Sequence, residues 1–137
     1  MTLPDREDVL RRGVEEIIVE REFIEKLDSG SPMRLKMGFD PSAPDIHIGH
    51  AVGLRKLRQL QELGHKVVLI VGDWTAQIGD PSGRSQTRTM LGADEVNANA
   101  QTYLDQFFKI VDRDRTEIRL QSEWFGPFSL TNVIELT

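Results

Sequence analysis

Two of the three histidines in the chain, His47 and His50, lie three residues apart. Apolar residues at helical spacing predict a helix over residues 47–63, directly after a short strand predicted over residues 33–39. Residues three apart lie on the same side of a helix, so both imidazoles should project from its first turn. Because the first N–H groups of a helix are unpaired and its dipole is positive there, this pattern favours binding of an anion such as phosphate.

The residues around the two histidines fit nucleotide binding better than metal binding. Gly49 has no side chain, so a planar adenine or a ribose could approach the backbone there. Loops at the carboxyl ends of parallel strands are where such sheets bind their ligands. A zinc site would need a third ligand, which the neighbouring sequence does not supply, so no metal site is expected. The remaining alternative, histidines that only decorate a helix start, is disfavoured by the complete string GFDPSAPDIHIGH over residues 38–50.

A second segment of interest follows the apolar run at residues 67–71, which predicts a strand buried on both faces. Residues 72–93 show little periodicity, and connections of this length inside a domain are usually functional or disordered. Asp80 could hold an ammonium group there, and Arg84 and Arg88 carry forked cationic donors suited to pyrophosphate. A surface turn is the alternative interpretation. Together the two segments suit an amino acid that meets ATP, and the absence of a Walker-type glycine loop argues against a P-loop kinase.

The order of the predicted elements indicates an α/β fold. A strand, a helix and a second strand in succession imply a right-handed crossover and therefore a parallel sheet flanked by helices. The other predicted elements are a helix over residues 5–27 with a break near residue 19, a helix from about residue 94 to 111, a strand at residues 116–120 and a last helix with Ser129 as its N-cap.

Composition places the chain among ordinary globular domains. Its 137 residues are enough for one domain with a core, and 39% hydrophobic and 28% charged residues are typical of soluble proteins. No apolar run approaches the roughly 20 residues of a membrane span, and no secretory signal is evident. The lack of cysteine suits a cytoplasmic location. A net charge of -5 argues against general attraction to nucleic acid.

The chain resembles the N-terminal part of the tyrosyl-tRNA synthetases, a family of class I aminoacyl-tRNA synthetases. The resemblance lies in residues 34–92, above all in GFDPSAPDIHIGH, LRKLRQLQELGH and IGDPSGRSQTR. It implies the Rossmann-like nucleotide-binding fold of class I synthetases. We expect an N-terminal helical segment at residues 1–32 and the first part of the catalytic domain at residues 33–137, truncated before the KMSKS loop and the tRNA-binding domain of that family.

The resemblance also implies an ATP site in the first loop. His47 and Ser42 would contact the outer phosphates, and His50 would lie at the ribose and α-phosphate. Gly38 and Asp40 would line the adenylate pocket, and Pro41 and Gly49 belong to the same ATP-binding region.

Further roles are implied for the amino acid substrate and for pyrophosphate. Asp80 would hold the tyrosine ammonium group with Thr75 nearby, and Arg84 and Arg88 would steady the leaving pyrophosphate. Many relatives carry a tyrosine on the first strand that meets the substrate hydroxyl. Lys36 occupies that position here, so it is expected in the amino acid pocket, but recognition of the phenol does not transfer.

The implied reaction joins tyrosine to ATP, accompanied by Mg²⁺, and then passes the tyrosyl group to tRNA(Tyr). The full-length enzyme is expected to be a cytoplasmic homodimer without membrane contact, and this chain alone is expected to be inactive. The basic residues Arg55, Lys56 and Arg58 are interpreted as a solvated helix face, with a tRNA contact as the alternative. Three other functions stay open: a non-catalytic nucleotide-binding module, a tryptophanyl-type synthetase fragment and an unrelated doubly wound ligand-binding protein.

Overall fold

Three parallel strands in the order β1-β2-β3 form the centre of the protein in a computed structural model that describes residues 5–78 and 91–136. The strands are β1 (Arg34–Phe39), β2 (Lys66–Val71) and β3 (Thr116–Leu120). The helices are α1 (Arg6–Arg11), α2 (Glu20–Asp28), α3 (Ile48–Glu62), α4 (Thr75–Ile78), α5 (Ala93–Phe107), α6 (Ser122–Phe125) and α7 (Leu130–Glu135), and a 3-10 turn spans Arg113–Arg115. The predicted α/β fold with a parallel sheet is confirmed.

The register of the sheet aligns the three strand ends. Phe39 pairs with Val71, which in turn pairs with Leu120. Because all three strands run in the same direction, the segments that leave them begin side by side at one edge. This alignment positions the candidate site.

The core lies on one face of the sheet. Leu54 and Leu57 of α3 and Phe107 of α5 pack against Val67 and Leu69 of the central strand, and each of these side chains is buried. The helix predicted over residues 47–63 is confirmed as α3, with a stripe of buried leucines on one side, and Gly64 ends it with a φ of 95°, which a side chain would disfavour.

The N-terminal region shows the predicted break near residue 19, but the interruption is longer than predicted because the first helix already ends at Arg11. The chain forms two helices, and Val19 lies between them with a φ of 58°, a conformation that β-branched residues rarely adopt. Ile18 is 83% exposed, so this part of the predicted apolar stripe does not face the core. The domain boundary between residues 32 and 33 stays a prediction.

Two short helices occupy segments for which the sequence predicted none. Helix α4 begins four residues after β2 ends, and α6 begins two residues after β3 ends. The predicted N-cap Ser129 is confirmed, because its hydroxyl accepts the N–H of Asn132. Within residues 5–78 and 91–136, every helix is too short or too polar to cross a membrane.

Candidate functional site

The three strand ends are joined by backbone hydrogen bonds at the edge where the candidate site lies. The N–H of Gly72 donates to the carbonyl of Phe39 at 2.7 Å, and the N–H of Gln121 donates to the carbonyl of Val71 at 3.0 Å. The first residue after β2 is therefore bonded to the end of β1, and the first residue after β3 is bonded to the end of β2.

The hydroxyl of Thr75 lies between side chains from the other two segments. Its Oγ1 is 2.7 Å from Asp40 Oδ1 and 2.8 Å from Gln121 Oε1. The backbone N–H of Thr75 also donates to Gln121 Oε1, at 3.1 Å. A hydroxyl has one proton and can donate to only one of these two acceptors at a time. The other acceptor can therefore take a further hydrogen bond from an N–H or O–H group of a ligand.

Gly72 allows this close approach. A Cβ built on Gly72 would overlap Asp40 Oδ1 and would lie 2.7 Å from Thr75 Oγ1. Sequence reasoning did not identify Gly72 or Gln121 as site residues. The available signal was their position, since each directly follows a strand, but a single glycine or glutamine after a strand is too common to be recognised.

The two histidines form a reciprocal cap at the start of α3. Nδ1 of His47 accepts the N–H of Gly49 at 3.1 Å, and Nδ1 of His50 accepts the N–H of His47 at 3.1 Å. The ring centroids are 4.0 Å apart. The expectation that the N–H groups of this first turn are free for an anion is therefore wrong for Gly49, whose N–H is taken by an imidazole.

This cap determines the proton arrangement of both rings. A nitrogen that accepts an N–H bond cannot itself carry a proton, so each imidazole is neutral with its proton on Nε2. Burial lowers the pKa of His50, and the neighbouring His47 lowers it further. The pair therefore offers two Nε2–H donors without a formal charge, which are suited to phosphate oxygens.

The space over Gly49 is occupied within the protein itself. A Cβ on Gly49 would lie 2.9 Å from both Nδ1 and Cε1 of His47. The absence of a side chain at this position is thus needed for the His47 cap, a reason that the sequence did not reveal.

Polar residues of α5 hold the loop that precedes the histidines. The side chains of Asn99 and Thr102 donate to the carbonyls of Pro41 and Pro44, at 3.2 and 2.6 Å. Gln106 accepts the N–H of Ile46 at 3.2 Å and donates to the Pro44 carbonyl at 3.1 Å. Sequence reasoning missed these three side chains, although their spacing of three and four residues places them on one side of a helix.

The other predicted site residues that the structure describes lie within β1 or in the turn directly after it. The N–H of Ser42 donates to the Asp40 carbonyl at 2.8 Å, which forms a tight turn directly after β1. Gly38 leaves ordinary room, since a Cβ there would be 3.9 Å from the Ile70 carbonyl oxygen. Lys36 is exposed in the middle of β1, four residues before Asp40, and its side chain makes no hydrogen bond or ion pair with any described residue.

Three predicted residues, Asp80, Arg84 and Arg88, lie outside the described residues. Thr75 and Asp40, which were assigned to the amino acid and to the nucleotide respectively, are brought into direct contact. Across residues 5–78 and 91–136, no group of three or more His, Cys, Asp or Glu side chains is arranged to hold a metal ion.

Comparison with known proteins shows the family to which the chain belongs. The sequence profile of the family described as tRNA synthetases class I (W and Y) matches residues 28–137. The chain is 67% identical over 131 residues to a tyrosine–tRNA ligase of Dehalococcoides mccartyi strain CBDB1, covering 96% of this chain and 33% of the relative. It is 51% identical over 136 residues to a tyrosine–tRNA ligase of Xanthomonas oryzae, covering 99% of this chain and 34% of the relative. The chain thus spans about a third of the length of these curated relatives.

A solved structure with the same fold comes from Archaeoglobus fulgidus. That tyrosyl-tRNA synthetase, complexed with L-tyrosine, superposes with a TM-score of 0.71 at 23% identity, covering 94% of this chain and 37% of the other. At this identity the likeness shows the fold, whereas the profile match covers most of the chain and shows the family. The chain therefore belongs to the class I tRNA synthetases of the tryptophanyl and tyrosyl type.

Proposed function

We propose that the chain is the N-terminal part of the catalytic domain of a tyrosine–tRNA ligase. The observation that carries this proposal is the 67% identity over 131 residues to a protein of that name. The tryptophanyl alternative is not favoured, because the two relatives described above are both named for tyrosine. A non-catalytic module is not favoured either, because the polar groups at the sheet edge suit chemistry on a phosphate.

The proposed reaction has two steps. A carboxylate oxygen of tyrosine attacks the α-phosphorus of ATP, and the bond to the leaving pyrophosphate breaks. A hydroxyl of the terminal ribose of tRNA(Tyr) then attacks the tyrosyl carbonyl carbon and AMP leaves. No covalent bond to the protein forms, so catalysis depends on positioning and on stabilisation of phosphate charge.

His47 and His50 are proposed to donate from Nε2 to phosphate oxygens while charge shifts towards pyrophosphate. Both Nδ1 atoms accept backbone N–H groups, which fixes each ring and leaves Nε2 as its donor. Loss of one such preorganised donor typically lowers the rate on the order of a hundredfold. Ser42, Pro41 and Gly49 complete the proposed phosphate-binding loop.

The Asp40–Thr75 pair is proposed to lie against the adenylate. The open acceptor beside the Thr75 hydroxyl can take an O–H or N–H donor of that intermediate. Gly38 would lie beside it, Asp80 would hold the tyrosine ammonium group, and Lys36 would line the pocket. Arg84 and Arg88 are proposed for the leaving pyrophosphate.

Mg²⁺ is proposed to arrive with ATP, since this ion typically binds substrate phosphates and keeps several of its waters. The complete protein is proposed to act as a homodimer in the cytoplasm with tRNA(Tyr) as its RNA partner. Membrane contact is not part of the proposal.

Joining this chain to the remaining two thirds of the Dehalococcoides mccartyi relative tests the function. The chimera should catalyse ATP–pyrophosphate exchange that depends on tyrosine and is not supported by tryptophan. The unmodified relative and the isolated chain serve as the active and inactive controls. Exchange with tryptophan would contradict the tyrosine assignment, and a folded chimera without exchange would contradict the catalytic assignment.

A further inference from the structure

A cavity of about 230 Å³ outside the candidate site is lined by three cationic side chains, Arg12, Arg55 and Lys56. Its other lining residues are Gly13, Val52 and Gln59, so no carboxylate lines it. The chain as a whole carries a net charge of -5. A concentration of positive charge on an acidic protein attracts anions to that place in particular.

Lys56 is held in a fixed position beside this cavity. Its ammonium group donates to the backbone carbonyls of Val9 at 3.0 Å and Asp8 at 3.4 Å, close to the end of α1. An ammonium has three N–H donors, so one remains for a ligand. Burial lowers the pKa of Lys56 and the charge of Arg12 also lowers it, while the carboxylate of Asp8 raises it. Asp8 outweighs Arg12 in this balance, but the residues that line the cavity carry positive charge only, so a bound anion would reduce the repulsion between Arg12 and Lys56.

Neighbouring arginines show how this cavity differs from an ordinary solvated face. Arg58 is neutralised by Glu62 at 3.1 Å and approaches Asp112 at 3.9 Å. By contrast, Arg12 and Arg55 make no ion pair within the described part of the chain. Of the two arginines in α3, Arg58 is therefore ion-paired and Arg55 is not. Arg12, from the N-terminal region, lines the same cavity as Arg55.

The cavity lies on the outward face of the helix that begins at the histidine pair. Val52 and Arg55 are exposed, whereas Leu54 and Leu57 on the other side of α3 are buried. With a rise of roughly 1.5 Å per residue, Arg55 lies only about 8 Å along the helix from His50. This spacing is short enough for one RNA to contact both the proposed site and this surface.

We propose that Arg12, Arg55 and Lys56 form a phosphate-binding site for the sugar–phosphate backbone of the tRNA. The inference rests on the proposed function for the identity of the RNA. Arginine supplies forked donors for phosphate oxygens, and Lys56 adds a fixed point charge. Contacts to the backbone position an RNA without reading its bases, so the site should not discriminate between tRNA sequences.

Fluorescence titration of labelled tRNA(Tyr) and of a non-cognate tRNA with the 137-residue chain tests this site. Arg12→Gln and Arg55→Gln should each raise the Kd for both RNAs, by roughly threefold to tenfold, because one phosphate contact is lost. Each should also reduce the slope of log K against log salt by about 0.7 to 0.9. Arg21→Gln, which removes the same charge from an exposed position of α2, is the matched control and should change neither quantity.

Several results would overturn the site. One is a Kd for both variants within about twofold of the wild type, or no binding of either tRNA at low salt. Another is an equal loss of tRNA affinity in Arg21→Gln, which would show that the effect comes from the net charge of the chain. A titration with inorganic phosphate, followed through the amide signals of Gly13 and Arg55, distinguishes free phosphate from RNA as the ligand. If phosphate saturates these signals and tRNA does not compete with it, the cavity is a site for small anions and the proposal is wrong.

The test is separable from the proposed ligase activity, because pyrophosphate exchange in the chimera uses no RNA. Arg12→Gln and Arg55→Gln should leave that exchange unchanged. If the chimera catalyses exchange but the two substitutions leave the Kd for tRNA unchanged, only the phosphate site is rejected. If the chimera lacks exchange but the substitutions still raise the Kd for tRNA, only the proposed function is rejected.

Discussion

The Nδ1 atoms of His47 and His50 each accept a backbone N–H, so the two nitrogens of each imidazole have different roles. Nδ1 caps the start of α3, and Nε2 is the donor proposed for phosphate. An asparagine amide oxygen can reach the position of Nδ1, and a glutamine amide nitrogen can reach that of Nε2. Substitution at one residue can therefore test the cap and the donor independently.

His50→Asn should keep most of the folding stability and lose the activity of the chimera by roughly a hundredfold, because the cap survives and the donor is lost. His50→Gln should lose about 1 kcal/mol of stability, as a missing helix cap typically does, while retaining more exchange activity. Pyrophosphate exchange and thermal melting of both variants provide the measurement. Equal exchange rates in the two variants would show that Nε2 has no part in the reaction.

Gly72 is the residue whose replacement should disturb the strand-end contacts most directly. In Gly72→Ala the added Cβ has to displace the Asp40 carboxylate, and the expected cost is about 1 to 3 kcal/mol of folding stability. Gly38→Ala is the matched control on the adjacent strand, where the Cβ meets only ordinary contacts. Urea unfolding of both variants measures the difference, and equal stability would contradict the crowding at Gly72.

At the scale of elements, Gln61 joins α3 to the segment that leads into β3. Its side chain is buried, its Oε1 accepts the N–H of Asp112 at 2.8 Å, and its Nε2 donates to the carbonyls of Asp112 and Arg115 at 3.0 and 3.2 Å. Gln61→Met keeps the length of the side chain but removes these bonds.

The expected loss for Gln61→Met is about 1 to 3 kcal/mol in unfolding free energy, since a buried N–H would lose its acceptor. The same substitution at exposed Gln101 is the control and should stay within about 0.5 kcal/mol. Chemical denaturation gives both values. A neutral Gln61→Met would mean that the β3 connection is held by other contacts.

His65 joins the end of α3 to the beginning of β1 and makes that junction sensitive to acid. Its Nδ1 accepts the N–H of Met33 at 3.2 Å, and burial lowers its pKa. The unfolded chain therefore binds protons more readily, so this contribution to stability is present above about pH 6.5 and is lost as the pH falls through the folded-state pKa.

Melting temperature should decrease between about pH 7.5 and pH 5.5, and His65→Gln should reduce that decrease because the amide oxygen accepts the same bond without titrating. His50, whose pKa is also lowered, accounts for part of the remainder. A wild-type melting temperature that is constant over this range would contradict the depressed pKa of both histidines.

Local periodicity predicted the elements whose contacts are local. The leucine stripe of α3, the strand at residues 116–120 and the cap at Ser129 all depend on neighbouring residues and were correct. The break near Val19 was predicted at the right place, but the early end of α1 at Arg11 and the positive φ of Val19 are not encoded by an apolar pattern. The histidine spacing correctly indicated a shared face, but the use of both Nδ1 atoms as caps depends on ring orientation.

Contacts that cross the sheet edge were beyond sequence reasoning for a different reason. The Thr75 hydroxyl meets Asp40 across 35 positions and Gln121 across 46, so the contact exists only once the register of three strands is fixed. Asn99 and Gln106 likewise hold a loop about 60 residues earlier. Composition and spacing contain no information on such pairings.

At the scale of the molecule, the proposed roles occupy two places on one framework. The strand ends bring Asp40, Thr75 and the histidine helix to one edge of the sheet. The cationic cavity lies on the outward face of the same helix, with Arg55 about two turns from its start. Of these two places, the sheet edge is proposed as the nucleotide site.

Titration of the ¹⁵N-labelled chain with Mg²⁺–ATP, followed by amide chemical shifts, tests that claim most directly. Even weak binding is visible in such spectra, so the isolated chain suffices. The largest shifts should fall at residues 40–51 and 72–78. Shifts that leave these two segments unchanged and cluster at the opposite end of the sheet, around Arg6 and His65, would contradict it.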